Sequence, residues 1–95
     1  MTADGQWIRN VLITGGTRGI GRAIALAACA AGAETVLLNY LQNDTEAERT
    51  RALCETAGTR CIVHRANVAS PDDVDALFAA AAKELGGIDL FVHCA

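Results

Sequence analysis

The sequence predicts an α/β fold, a doubly wound parallel sheet with helices on both faces. Three observations carry that prediction. Short apolar runs, Val11-Leu12-Ile13, Val36-Leu37-Leu38 and Cys61-Ile62-Val63, recur along the chain. A strand apolar at consecutive positions is one that helices cover on both faces. Helical stretches stand between these runs, joined by short connections, and such alternation gives parallel strands with right-handed crossovers. Finally, the first run passes straight into a glycine-rich turn and then into a Pro-free helix.

The elements follow in order. Met1 to Arg9 reads as a loose leader, with Trp7 and Ile8 packing near the first strand. The first strand spans about Asn10 to Thr14 and the first helix about Gly19 to Ala31, with Gly32 as its C-terminal glycine. A second strand covers Thr35 to Asn39. The second helix covers about Asp44 to Ala57, where Thr45 and Glu48 have capping-box spacing and Gly58 stops the helix. A third strand covers about Arg60 to Arg65. Ser70-Pro71-Asp72-Asp73 is a strong helix start: a hydroxyl cap, Pro at the first position and acids over the dipole. That third helix runs to Leu85 and ends at Gly86-Gly87. The fourth strand, Ile88 to Cys94, reads as buried on both faces. The expected strand order is 3-2-1-4, with a topological switch point between strands one and four.

Composition narrows the function classes. The chain has 95 residues, 52% of them hydrophobic, and a net charge of −3. It is too apolar for a disordered segment and too acidic for a nucleic-acid footprint. No apolar run approaches the roughly 20 residues of a membrane span, and the N-terminus lacks a signal-peptide pattern. Cys29, Cys54, Cys61 and Cys94 form no closely spaced pair of the kind zinc requires. Free thiols predict a reducing, cytoplasmic compartment.

The chemistry is predicted at the strand ends. Gly15, Gly19 and Gly21 allow a tight turn and close approach of a ligand to the main chain. A strand, a glycine turn and a helix N-terminus make an anion site, as in a dinucleotide-binding βαβ unit. Gly16 and Gly21 also have the spacing of the two P-loop glycines. However, Arg22-Ala23 stand where that motif needs Lys and then Ser or Thr, so the nucleoside-triphosphate reading fails. After the second strand come Asn39 and Tyr40, where an acid would hold a ribose diol. A missing carboxylate permits a 2′-phosphate, and Arg18 supplies a charge to pair with it. The bland alternative is that Arg18 is a solvated loop charge.

Thr14-Gly15-Gly16-Thr17-Arg18-Gly19-Ile20-Gly21 resembles the Thr-Gly-x-x-x-Gly-x-Gly signature of short-chain dehydrogenases/reductases. The resemblance runs through the whole chain and implies a Rossmann-type sheet. It implies that Gly15, Thr17, Arg18, Gly19, Ile20 and Gly21 meet the cofactor phosphates. A basic residue at Arg18 implies NADP (NADPH). Asn67-Val68 stands where family members carry Asp-Val to hold the adenine. An alternative role for Asn67 is to cap its own turn. His93-Cys94-Ala95 stands where the family has Asn-Asn-Ala, so Cys94 and Ala95 are candidate cofactor contacts. A lone His at a strand end is more often structural.

The family's Ser and Tyr-x-x-x-Lys pair have no counterpart here. Tyr40 is followed four places on by Asp44, and the single Lys is Lys83. The expectation is therefore an incomplete domain: residues 1–95 as the N-terminal dinucleotide-binding part of a reductase. Isolated, it would be inactive and prone to associate through the open edge of strand four. The resemblance implies hydride transfer to a small-molecule carbonyl or acyl-thioester substrate of the 3-oxoacyl type, in a homo-oligomer, with no nucleic-acid or membrane partner. Two alternatives are an enoyl reductase of the same family and a non-catalytic nucleotide-binding module. A Ser and a Tyr-x-x-x-Lys downstream in a longer parent chain would exclude the second.

Overall fold

The computed structural model describes residues 8–94. In chain order these form β1 (Asn10–Thr14), α1 (Gly19–Ala30), β2 (Thr35–Tyr40), α2 (Asp44–Thr56), β3 (Arg60–Arg65), α3 (Pro71–Leu85) and β4 (Leu90–His93). The strands make one parallel sheet in the order β3-β2-β1-β4, as the sequence predicts. Val11 of β1 lies opposite Val36 of β2 on one side and Leu90 of β4 on the other. The winding reverses at the β1–β4 boundary, and a crevice opens beyond the strand ends there.

The consecutive apolar residues of β1 and β2 serve two cores. Val11, Ile13, Val36 and Leu38 pack with Ala25 and Cys29 of α1 and Cys54 of α2. Leu12 and Leu37 point the other way, onto Leu77, Ala81 and Leu85 of α3. All six strand residues are fully buried. Ile8 packs half-buried against the first core, whereas Trp7 lies outside the described residues. Burial pushes the Cys29 thiol up to about 11, and contact with Cys61 together with burial raises that of Cys54. These thiols behave as core hydrophobes.

Two local expectations need correction. The α2 cap is Asn43, whose Oδ1 accepts the Glu46 N–H at 3.0 Å. The helix starts at Asp44, so Thr45 and Glu48 lie inside it and cannot form the expected capping box. β4 is also shorter and less buried than Ile88 to Cys94 suggested. Asp89 accepts the N–H groups of Arg9 at 3.0 Å and Asn10 at 2.9 Å, anchoring the strand entry to the start of β1. Those two bonds hold its carboxyl below the usual range. Leu90 and Val92 pack onto the first core, but Phe91 and His93 are exposed on the opposite side. There Phe91 meets Phe78 of α3 in a T-shaped pair, with ring centroids 5.8 Å apart.

Candidate functional site

The carboxyl ends of all four strands border one cleft of about 520 Å³. Gly15, Thr17, Arg18 and Gly19 line it from the turn after β1, and Asn39 and Tyr40 from the end of β2. Asn67 and Val68 follow β3, and Cys94 follows β4. Ile20 and Gly21 do not line it, and Ala95 lies outside the described residues.

The glycine turn is shaped by three separate demands. Gly15 and Gly19 adopt φ of 65° and 60°, a left-handed conformation costly to any residue with a Cβ. Gly21 answers a packing demand instead, because a Cβ there would stand 1.9 Å from the Gly15 carbonyl oxygen. The N–H groups of Gly15 and Gly16 are already bonded, to Asn39 Oδ1 at 3.2 Å and Asn39 O at 3.1 Å. Asn39 is 2% exposed and also donates from Nδ2 to Ala66 O at 2.9 Å, so it ties together the ends of β1, β2 and β3.

Beyond this bracing, α1 starts bare. Its N-cap is Arg18 in an extended conformation, and among the described residues no side chain caps the helix and no acid occupies its first turn. The N–H groups of Gly19, Ile20 and Gly21 have no acceptor within the helix. They carry the positive end of the helix dipole. Among the described residues, Arg18 is the one charged side chain lining the cleft.

Behind the turn lies a cluster that sequence reasoning missed. The Thr17 carbonyl accepts from Arg22 Nε at 3.1 Å and Nη2 at 2.8 Å, and also from the Thr50 hydroxyl of α2. Arg22 Nη2 pairs with Glu46 Oε2 at 2.7 Å and Nε donates to Thr50 Oγ1 at 2.8 Å. The Arg22 guanidinium holds the Glu46 carboxyl below its ordinary range. The only sequence signal was Arg22 itself, since nothing local links it to residues 24 and 28 positions away.

The other strand ends are also occupied. Tyr40 Oη donates to Asp44 Oδ1 at 2.7 Å, and that bond raises the phenol's pKa. Arg65 Nη1 stands 3.9 Å from Asp44. The acid nearest the β2 end is therefore engaged outside the cleft lining. Asn67 Oδ1 accepts the Ala69 N–H at 2.9 Å, so it does cap its own turn. His93 bonds through Nδ1 to Thr14 Oγ1 at 2.6 Å and lies with Phe78 and Phe91 in an apolar groove on the α3 side; it does not line the cleft. The Cys94 N–H donates to the Thr14 carbonyl at 3.0 Å, stitching β4 to β1 beside the turn.

A parallel sheet in 3-2-1-4 order, with a glycine turn and an uncapped helix at its switch point, has the build of a dinucleotide-binding fold. The family model described as short chain dehydrogenase matches residues 9–95, and the chain belongs to that family. It is 40% identical over 82 residues to a 3-oxoacyl-[acyl-carrier-protein] reductase of Synechocystis sp., covering 86% of this chain and 33% of the relative. It is 41% identical over 91 residues to a 1-cyclohexenylcarbonyl-CoA reductase of Streptomyces collinus, covering 96% and 31%. The chain thus spans about a third of the length of these relatives. Among solved structures, a Burkholderia cenocepacia protein with bound NADP superposes with a TM-score of 0.88 at 27% identity, over 98% of this chain and 36% of that one. An NADH-dependent reductase complexed with NAD superposes with a TM-score of 0.80 at 28% identity, over 90% and 35%. Members of this oxidoreductase family use NAD(P) nucleotides. No helix among the described residues is long and apolar enough to cross a membrane.

Proposed function

We propose that this chain is the NADP(H)-binding portion of a short-chain reductase that transfers hydride to a carbonyl substrate of the 3-oxoacyl type. One observation carries the cofactor assignment: among the described residues the cleft has a single charged lining residue, Arg18, beside the uncapped start of α1. A cation with no competing carboxylate in the lining suits a 2′-phosphate, and the free N–H groups of Gly19 and Ile20 suit a pyrophosphate. The pieces fit together. Gly15, Thr17 and Gly19 shape the phosphate end, with Gly21 keeping α1 close against it. Asn39 braces that end from below, and Tyr40 borders the ribose. Asn67 keeps Nδ2 as a donor for a base edge, next to the backbone of Val68. Cys94 stands at the nicotinamide end, and Ala95 and Ile20 are proposed as contacts there.

NADPH supplies the hydride when bound. The proton must come from elsewhere, because Tyr40 donates to Asp44 and no Tyr-x-x-x-Lys pair occurs in this sequence. We assign the Ser, Tyr and Lys to a segment outside it. The substrate class rests on the named 3-oxoacyl relative. The similarly close relative named for 1-cyclohexenylcarbonyl-CoA supports a second reading, reduction of an unsaturated acyl thioester. Free thiols at all four cysteines fit a cytoplasmic setting, and a homo-oligomer is the proposed assembly.

Titrating the intact protein with NADPH and NADH by nicotinamide fluorescence tests the reading. Tighter binding of NADPH is expected; equal or reversed affinities would overturn the NADP assignment. Assays with 3-oxoacyl and enoyl thioesters then separate the two substrate readings.

A further inference from the structure

We propose that Arg22 is a positioning residue for the cofactor, clamping the phosphate turn to α2 through the Thr17 carbonyl without touching the ligand itself. The inference rests on the nucleotide reading above.

The geometry is that of a four-way junction. Arg22 projects from the first turns of α1, away from the cleft lining. Its fork closes on one backbone atom, Thr17 O, with Nε at 3.1 Å and Nη2 at 2.8 Å. The same two nitrogens reach Thr50 Oγ1 at 2.8 Å and Glu46 Oε2 at 2.7 Å, both on α2. Thr50, fully buried, adds its own hydroxyl to Thr17 O. Thr17 is itself 4% exposed, so its carbonyl is fixed from behind by three donors.

Fixing that carbonyl has a consequence on the cleft side. A carbonyl and the next N–H belong to one rigid peptide plane. Holding Thr17 O therefore sets the direction of the Arg18 N–H and the position from which the Arg18 side chain departs. The same junction locks α2 to α1. Residues 41–43, which lead into α2, line the far end of the cleft. Arg22 thus sets the distance between the phosphate turn and the β2–α2 wall. Lys could supply the charge at this position but not the planar fork that serves three acceptors at once.

The test compares ligands in the intact protein. NADPH spans the cleft, whereas adenosine lacks both the pyrophosphate and the 2′-phosphate and meets only the adenine end. Arg22→Met is expected to weaken NADPH by about tenfold or more, the scale of lost hydrogen bonds to a charged group. Adenosine should weaken by clearly less. Arg22→Lys should restore melting temperature better than it restores NADPH affinity. Wild-type NADPH affinity in folded Arg22→Met, or equal losses for both ligands, would overturn the clamp and leave the nucleotide reading intact. Failure of the unmodified protein to bind either ligand would instead overturn the nucleotide reading, and the clamp with it. If Arg22→Met does not fold, Thr50→Val decides. It keeps the side-chain volume and removes one donor to Thr17 O, so a smaller loss with the same preference for NADPH supports the clamp, and no loss overturns it.

Discussion

The N-termini of α1 and α3 meet the same electrostatic problem and answer it in opposite ways. Each helix begins with N–H groups that its own turns cannot accept from. At α3 the chain supplies every answer itself. Ser70 Oγ accepts the Asp73 N–H, Pro71 removes a donor, and Asp72 and Asp73 sit over the positive dipole end. Asp73 then accepts the Asn67 N–H at 2.8 Å and closes the loop. At α1 the corresponding first turn is Gly19-Ile20-Gly21, preceded by Arg18. Two nearby helices with good caps show that this sequence can cap a helix when stability alone is at stake. The bare, basic start of α1 fits the proposal that an external anion completes it.

The largest expected break of this contrast is at the third helical position. Gly21→Val places a Cβ against the Gly15 carbonyl, 1.9 Å away in the present geometry. The helix must leave the turn, which should cost about 3 kcal/mol in urea denaturation, the upper end for overpacking. NADPH binding should vanish with it. The equivalent change at α3, Asp73→Ala, loses only capping contacts and should cost about 1 kcal/mol. An unchanged midpoint for Gly21→Val would mean that α1 can stand off the turn at no cost.

How much of this was legible beforehand depends on the range of the interaction. The strand order, the Ser70 cap and the left-handed Gly86 with φ of 72° follow from local pattern, and local pattern is what a sequence displays. The glycine turn was legible for the same reason, although the separate duties of Gly19 and Gly21 were not. One answers to a dihedral angle and the other to an atom six residues away. Asn39 illustrates the limit. Its position after β2 was visible, but its use as a brace for Gly15 and Ala66 needs the registers of three strands. The Arg22 junction was invisible beyond Arg22 itself, because Glu46 and Thr50 come from a different helix. Phe91 is exposed although its strand reads as buried, because an apolar run reports what a strand is made for, not what covers it.

A paired substitution sharpens the comparison at intermediate size. Arg18→Ala should weaken NADPH by about 1–3 kcal/mol, the range for bonds to charged groups, with little change in NADH affinity or melting temperature. Ser70→Ala should do the reverse, costing about 1 kcal/mol of stability and leaving both affinities alone. If Arg18→Ala weakened both cofactors equally, its charge would not be reading a 2′-phosphate.

Acid provides a smaller separation. Glu46 has its carboxyl lowered from 4.5 by Arg22, so the folded state favours the charged form. Its contribution is complete above pH 4.5 and is lost as the pH falls through the lower folded-state value. The acid limb of the stability curve should therefore flatten in Glu46→Gln. An identical limb in both proteins would remove the ion pair from the account of how α1 and α2 are held.

The smallest expected effect is the most discriminating, because its two readouts should move in opposite directions. Ile20 is 75% exposed at the second position of α1, so a substitution there disturbs little packing. Ile20→Asp gives α1 the acid that α3 already has at Asp72. In the absence of ligand, the new carboxylate should interact favourably with the dipole and with the neighbouring Arg18. A gain of about 0.3–1 kcal/mol is the usual size for such a placement. The same carboxylate stands beside the place proposed for the cofactor's pyrophosphate, so NADPH affinity should fall by about tenfold or more through like-charge repulsion. High salt should shrink both effects, since the groups are exposed to solvent. Ile20→Asn keeps nearly the same shape without the charge and should show neither the gain nor most of the loss. A stabilised variant with undiminished NADPH affinity would mean that the bare start of α1 is an uncorrected weakness of the fold. A destabilised one would mean that Ile20 packs against something that its exposure does not reveal.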